Sequence, residues 1–229
     1  MKQLVLDLLH PDRPPTFENF VHGGNAALLA SLALLAEAPA RLPVGHLYLW
    51  GAAGSGRSHL LQATVARARA QNRPAHYLPA AAIDERLPED ACALLAIDDV
   101  GTLSPAAQIA LFNAFNRARG NRQSLLLAGE AAPREMALRE DLRTRIGQSL
   151  VFEVRPLDDA ARAAILHALA SRRGLRLGED LVGFLLAHGR RDLPGMVASL
   201  DALDAASLEH KRPITLPLLR QLVREGLRI

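Results

Sequence analysis

The stretch that most constrains this chain is His46-Leu-Tyr-Leu-Trp-Gly-Ala-Ala-Gly-Ser-Gly-Arg-Ser58. Its apolar run, His46 to Trp50, predicts a buried strand that breaks at Gly51, and Ser58 opens a helical segment from His59 to Ala70. Between the two, Gly51, Gly54 and Gly56 let the backbone bend tightly enough for several N–H groups to point at one centre. Converging donors, a helix N-terminus with its partial positive charge and one fixed cation together make a phosphate cradle. The spacing is G-x-x-x-x-G-[KR]-[ST], one residue from the phosphate-loop consensus, with Arg57 where lysine is expected. The rival reading, a glycine-rich turn that binds nothing, is disfavoured by the strand before it and the helix after it. The expected nucleotide contacts are Gly51, Ala52, Ala53, Gly54, Ser55, Gly56, Arg57, Ser58 and His59.

A second stretch supplies the acids such a cradle needs. In Ala91-Cys-Ala-Leu-Leu-Ala-Ile-Asp-Asp99 an apolar run ends in two carboxylates, the pattern of a buried parallel strand with its acids at the C-terminal edge. In open α/β sheets that edge faces the ligand crevice. Asp98 is placed to hold Mg²⁺ with Ser58, directly or through water, and Asp99 to orient or deprotonate a water. Further strands are expected at Ala75 to Leu78, Ser124 to Gly129 and Ser149 to Val154. Helices are expected at Ala26 to Glu37, capped by Asn25, and at Ala106 to Arg119, stopped by Gly120. Phe17, Phe20 and Val21 either wall an adenine or are plain core. Strands alternate with helices through about residue 155, the pattern of a parallel sheet covered on both faces.

Beyond Pro156 the strand signal ends. Four helices are expected there: from Asp158 or Asp159 to about Arg173, from Glu179 to His188, one after Asp192 with Pro194 in its first turn, and one from Thr215 to Glu225. The division is thus a tail over 1–15, an α/β domain over 16–155 and a helical domain over 156–229.

Composition narrows the partners. Apolar residues are 49 % of the 229 but aromatics only 4 %, so the core is aliphatic. Net charge is +3, and all but two of the 27 basic residues are arginine, which permits contact with nucleic acid without demanding it. A lone Cys92 excludes a disulfide framework and reads as a buried packing residue in a reducing compartment. The apolar run Leu4 to Leu9 is broken by Asp7 and is neither signal peptide nor membrane span, so a cytoplasmic protein is expected.

The tail, Lys2 to His10, is cut off by the proline-rich stretch Pro11 to Pro15. In an extended chain Leu4, Leu6 and Leu8 share one face, which reads either as an edge strand on its own domain or as a linear peptide offered to another protein. Burying three leucines contributes about 5–9 kcal/mol gross. Ordering the segment takes several kcal/mol back. Two tails on a homodimer, or a second contact to DNA, would offset that weakness.

Gly51 to Ser58, Ile97-Asp98-Asp99, the polar Glu130 after the fourth strand, Thr144-Arg145-Ile146-Gly147 and Arg190-Arg191-Asp192-Leu193 come in an order that resembles the AAA+ ATPases, and among them the DnaA-type initiator clade, over about residues 16 to 229. The resemblance implies a five-stranded parallel P-loop sheet flanked by helices, a C-terminal all-α lid, and bound ATP or ADP with Mg²⁺. By position it makes Glu130 the sensor-one residue, Arg145 an arginine finger acting in trans and Arg191 the sensor-two arginine. Here the chain departs from the initiator, with no DNA-binding helical domain after the lid, only a tail ahead of the ATPase, Arg57 for lysine and Glu130 for the usual aspartate. With Gln3-Leu4-Val5-Leu6-Asp7-Leu8 in front, it looks like the Hda family of DnaA-homologous regulatory inactivators. In that family a Gln-Leu-x-Leu-x-Leu peptide engages the DNA polymerase sliding clamp, which here implicates Gln3, Leu4, Leu6 and Leu8. The resemblance then implies a nucleotide-bound adaptor that meets DNA through the clamp and stimulates ATP hydrolysis by DnaA. Its rivals are a self-sufficient AAA+ ATPase or helicase loader of the same clade and, ranked last, a nucleic-acid-binding module, for which the sequence offers no basic helix interleaved with aromatics.

Overall fold

The computed structural model describes residues 14–37, 45–189, 193–210 and 214–226. They fall into two compact units, one over Pro14–Pro156 and one from Leu157 onward.

The first unit is a five-stranded sheet, every pairing parallel, in the order β2-β3-β4-β1-β5. The strands are β1 (His46–Trp50), β2 (Ala75–Pro79), β3 (Leu94–Asp98), β4 (Ser124–Gly129) and β5 (Leu150–Glu153). Helices α1 (Ala26–Ala36), α2 (Arg57–Ala70), α3 (Pro105–Asn121) and α4 (Glu140–Gly147) connect or flank them. The central strands are leucine-rich on both sides because both faces are covered, as parallel sheets require. Leu47, Leu49, Leu94, Ala96, Leu126 and Ala128 pack with α1 and α2 on one face. Tyr48, Leu95, Ile97, Leu125 and Leu127 pack with α3 and α4 on the other. This alternation fixes where the chemistry goes: Asp98, two residues after Ala96, sits on the α2 side of the strand.

Four local expectations are corrected. Asn25 does not cap α1; its buried amide pairs with the main chain of Arg155, Nδ2 donating to the carbonyl and Oδ1 accepting from the N–H, each at 2.9 Å. That reciprocal pair ties the exit of β5 to the start of α1, a tertiary use that outweighs one cap. Helix α3 runs through Gly120 and ends at Arg122, which takes the left-handed conformation (φ 52°). The next residue, the buried Gln123, donates its side-chain amide to the carbonyls of Pro88 and Asp90 and its main-chain N–H to the Ala118 carbonyl at 2.8 Å. Strand β3 starts at Leu94, because Cys92 (φ 63°) turns the chain and donates its N–H to Asn121 at 2.8 Å; Cys92 is half-buried rather than buried. Helix α4, which the sequence reading left without an element, has two acids in its first turn and buries Leu142 and Ile146, one turn apart.

The arginine content also has a structural share. Arg73 is buried and donates to the carbonyls of Cys92, Ala93, Leu35 and Glu37 and to the Ser124 hydroxyl, joining the end of α1 to the starts of β3 and β4. Burial lowers its pKa.

The second unit contains α5 (Asp159–Arg172), α6 (Glu179–His188), α7 (Leu193–His210) and α8 (Leu216–Arg224). Asp158 caps α5 by accepting the Ala161 N–H at 2.7 Å, and Thr215 caps α8. Leu166, Leu169, Leu181, Leu185, Leu200 and Leu219 form its interior. Arg162 is buried among them, held by Asp159 at 2.6 Å and the Leu186 carbonyl at 3.2 Å. Among the described residues no helix is long and apolar enough to cross a membrane.

Candidate functional site

The loop from β1 to α2 has the backbone its glycines imply. Gly54 (φ 76°) and Gly56 (φ 95°) are left-handed. A Cβ on Gly56 would come within 2.7 Å of the Phe20 ring, and one on Gly51 within 2.9 Å of the Val154 carbonyl. The loop is therefore pressed between the Phe20 segment and the end of β5. Ser55 donates its N–H to Ala52 at 3.1 Å, closing a turn, and the first N–H groups of α2 have no partner in their own helix.

Two buried polar atoms here, Ser55 Oγ and Arg57 Nη1, have no hydrogen-bond partner among the described residues. A buried donor left unpaired costs about 1–3 kcal/mol. Unpaired buried donors on the loop itself and on the first residue of α2 fit an anion, and the residues present therefore suit a phosphate. Arg57, 8 % exposed, directs Nη2 to Glu130 Oε1 at 3.5 Å and to Asp99 Oδ1 at 3.9 Å. The guanidinium thus stands between the cradle and the acidic tips of β3 and β4.

Asp98 is buried; Oδ1 accepts the Asp99 N–H at 3.0 Å and Oδ2 accepts the Tyr77 hydroxyl at 2.7 Å. Burial and the Asp98 carboxylate push the Tyr77 phenol up to about 12. Asp99 is left-handed (φ 52°), and its pKa is raised by burial, by Asp98 and by Glu130, against the pull of Arg57. Its side chain is still 55 % exposed, so solvent screens that push. Among the described residues no three His, Cys, Asp or Glu side chains gather into a metal cage. A divalent cation here would rest on the Ser58 hydroxyl, Asp98 and oxygens of the ligand, which suits Mg²⁺.

Tyr48 holds the loop after β4 from below. Its hydroxyl donates to the Ala131 carbonyl at 2.6 Å and touches the Met136 sulfur at 3.2 Å, while a Cβ on Gly129 would overlap the same hydroxyl. Glu130 lies between those two anchored residues. His59 turns away from the cradle, its Nε2 donating to the Thr16 carbonyl at 2.9 Å and its ring 5.7 Å from that of Phe20, and burial lowers its pKa. Phe20 itself joins the core on the α1–α2 face, with Phe17 against it.

The structure thus brings together Gly51 to Ser58, Asp98, Asp99 and Glu130. Arg145 is elsewhere. It is exposed on α4, on the sheet face opposite α2, with Nη2 donating to Asn116 Oδ1 at 3.2 Å. There it lines an open depression of about 720 Å³ with Phe112, Arg139, Glu140, Asp141 and Thr144. Arg139 is neutralised by Asp141 at 2.8 Å, whereas Arg145 has no carboxylate partner among the described residues. Arg191 and the tail residues Gln3, Leu4, Leu6 and Leu8 lie outside the described residues. Sequence reasoning missed Tyr48 and Tyr77. Their scarcity was the available signal: the chain has two tyrosines, and each sits in a strand feeding the ligand edge.

Residues 12–153 match the family described as the bacterial DnaA ATPase domain, and residues 159–223 match the one described as the Hda lid domain. The fold is similar to domain III of the replication initiation protein DnaA from Thermotoga maritima (TM-score 0.73, 22 % identity, covering 96 % of this chain and 99 % of that one). It is also similar to AMPPCP-bound DnaA from Aquifex aeolicus (0.72, 21 %, 95 % and 71 %). The Thermotoga maritima RuvB Holliday junction branch migration motor shares the architecture as well (0.67, 19 %, 94 % and 75 %). These structural likenesses establish the fold, and the match over well over half of the sequence establishes the family. The chain belongs to the bacterial DnaA ATPase domain family, as a DnaA-like AAA+ protein that carries an Hda-type lid domain.

Proposed function

We propose that this protein is a nucleotide-bound negative regulator of replication initiation, an adaptor that docks on the DNA polymerase sliding clamp and promotes ATP hydrolysis by DnaA. The observation that carries this reading is the joining, in one chain, of a DnaA-type ATPase domain to an Hda-type lid domain. In this reading it works in the cytoplasm, associated with the nucleoid through the clamp.

Each part of the chain has one task. The loop from Gly51 to Ser58 and the N-terminus of α2 bind the phosphates of ATP or ADP, and Ser55 and Arg57 find there the acceptors they lack. Bound Mg²⁺ would neutralise phosphate oxygens beside Ser58 and Asp98. Asp99 and Glu130 hold the Arg57 fork, a planar group that grips oxygens with fixed geometry where lysine would follow a moving phosphate. Slow turnover by the chain alone follows from that substitution. Arg191 is assigned to the same nucleotide. Arg145, without an acidic partner among the described residues and away from its own cradle, is the group to offer a neighbour; an arginine supplied in trans is worth roughly 10³–10⁵ in rate. Gln3, Leu4, Leu6 and Leu8 form the clamp peptide, and pairing two chains would raise its effective concentration. The acidic tips Asp98, Asp99 and Glu130 are also the set a self-sufficient ATPase would use, which keeps the motor as the second reading.

The deciding experiment is phosphate release from ATP-loaded DnaA with this protein, with and without clamp on DNA. Acceleration should require the clamp and disappear in Gln3→Ala with Leu4→Ala. Brisk hydrolysis by the protein alone, or acceleration indifferent to the clamp, overturns the adaptor in favour of the motor.

A further inference from the structure

Ahead of α1 the chain makes a turn that the reading above does not use. Thr16 and Asn19 cap one another: the Thr16 N–H donates to Asn19 Oδ1 at 2.7 Å and the Asn19 N–H to Thr16 Oγ1 at 3.3 Å. The Asn19 amide also reaches back to the Pro14 carbonyl at 3.0 Å. Residues 14–20 thus form a strap held in shape by its own side chains, and three contacts fasten it to α2. The Arg67 guanidinium lies 5.8 Å from the centre of the Phe17 ring, and His59 Nε2 is 2.9 Å from the Thr16 carbonyl. The Phe20 ring stands 5.7 Å from that of His59 and fills the side of Gly56 on which a Cβ would project. His59 and Arg67 lie two turns apart on one stripe of the helix, and Gly56 is its N-cap.

The direction of the central bond is fixed by chemistry. A carbonyl oxygen only accepts, so His59 Nε2 carries the proton and donates to the strap. The two positions held at the cradle end, Gly56 and His59, bracket Arg57 and Ser58, the residues assigned to the phosphates. The strap therefore braces, from outside, the turn whose N–H groups must converge on one anion. Donors that are ordered only when the ligand arrives give back part of the binding energy, so a segment that sets them beforehand raises affinity without touching the ligand.

We infer that His59 is a positioning residue: it latches the strap of residues 14–20 onto α2, and the latched strap holds the phosphate loop in its binding conformation. The coupling is reciprocal, so bound nucleotide holds the strap down as firmly as the strap supports the nucleotide. The inference rests on the phosphate reading of the cradle and makes nucleotide affinity depend on a part of the chain outside it.

The test is calorimetric titration of the full chain with ADP and Mg²⁺, beside amide hydrogen exchange with and without ADP. His59→Ala should weaken ADP binding about tenfold, and His59→Gln, which offers an amide N–H at similar reach, should recover most of that loss. Phe17→Ala loosens the strap at Arg67, about 15 Å along α2 from Arg57, and should weaken ADP about threefold. A side chain at that distance does not act by touching phosphate. In wild type, ADP should slow exchange at the Asn19 and Phe20 amides more than along α4, whose Leu142 and Ile146 pack on the opposite face of the sheet. In His59→Ala that excess should vanish. Wild-type affinity in His59→Ala or Phe17→Ala, a loss that glutamine does not recover, or strap amides that slow no more than those of α4 overturns the inference and leaves the cradle reading standing. A wild-type chain that does not bind ADP overturns both.

Discussion

The cradle and the rim carrying Arg145 belong to the same unit but are built on opposite principles. In the cradle, Arg57 and Asp98 are buried and held in place, Asp98 by Tyr77 and Arg57 by the two exposed acids Asp99 and Glu130, while Tyr48 anchors the Ala131 carbonyl beside Glu130. On α4 the arginine is exposed and, among the described residues, its side chain is hydrogen-bonded to one asparagine. A buried, pre-set group is suited to a ligand held in the same molecule. An exposed arginine with no carboxylate partner among the described residues costs little to redirect and is suited to a partner. The two regions should therefore respond to mutation in different assays.

Arg145→Ala makes the largest separation. Stimulation of DnaA should fall about a thousandfold, the order associated with an arginine offered in trans. Affinity for ADP and the melting temperature should stay at wild type, because the side chain supports neither the cradle nor the core. Single-turnover phosphate release from ATP-loaded DnaA on clamp-bearing DNA reads the first, and calorimetry and a thermal melt read the others. Loss of nucleotide affinity together with stimulation would erase the distinction between the two regions.

The converse change acts through the core. Gly129→Ala drives a methyl into the Tyr48 hydroxyl beneath Glu130. Overpacking of this kind costs about 1–3 kcal/mol, a fall of roughly 5 °C in melting temperature for a chain of this size. Adding Tyr48→Phe removes the clashing oxygen and should recover part of that loss, leaving the Ala131 carbonyl without its donor. If the two losses simply add, the hydroxyl is not what meets the methyl, and the cradle is less firmly set than its geometry implies.

The same contrast explains what could be read from sequence. Gly51 to Ser58 and the run ending in Asp98-Asp99 are local patterns: spacing alone fixes a strand, a turn and a helix, and five parallel strands with helices between them have few arrangements. That these two stretches meet at one edge of the sheet was therefore legible, as was the domain type behind them. Asn25, Gln123 and Arg73 were not, because each bonds to main chain remote in sequence, where propensity carries no information. Gly120 misled because the left-handed residue that ends α3 is Arg122, which propensity does not single out. Tyr48 and Tyr77 lie in strands whose period of two says which face they take but not that a carbonyl or a carboxylate waits there. Helix α4 is eight residues long, too short for a period to emerge.

Asp99 gives the smallest effect and the finest test of a cradle strained in the service of its ligand. Burial, Asp98 and Glu130 together raise its pKa, and Arg57 only partly opposes them. An acid whose pKa is higher in the folded than in the unfolded chain binds its proton more tightly when folded. Its stabilising contribution is therefore present below the unfolded value, near 3.9, and is lost as pH rises through the raised folded value. At neutral pH the ionised Asp99 thus works against the fold. Asp99→Asn should raise the melting temperature of the nucleotide-free protein at pH 7, and the advantage over wild type should shrink as the pH is lowered toward 4. Because the side chain is half exposed, the gain should be small, about 1 °C. The paired comparison is Asp141 at the start of α4, whose pKa is lowered by Arg139. Asp141→Asn removes a carboxylate that is stabilised rather than strained, so its melting temperature at pH 7 should not rise. Thermal melts of both variants across that pH range decide the matter: a destabilised Asp99→Asn would mean that the Arg57 contact outweighs the repulsion, and that the acidic tips of the cradle are a structural ion pair instead of a strained ligand site.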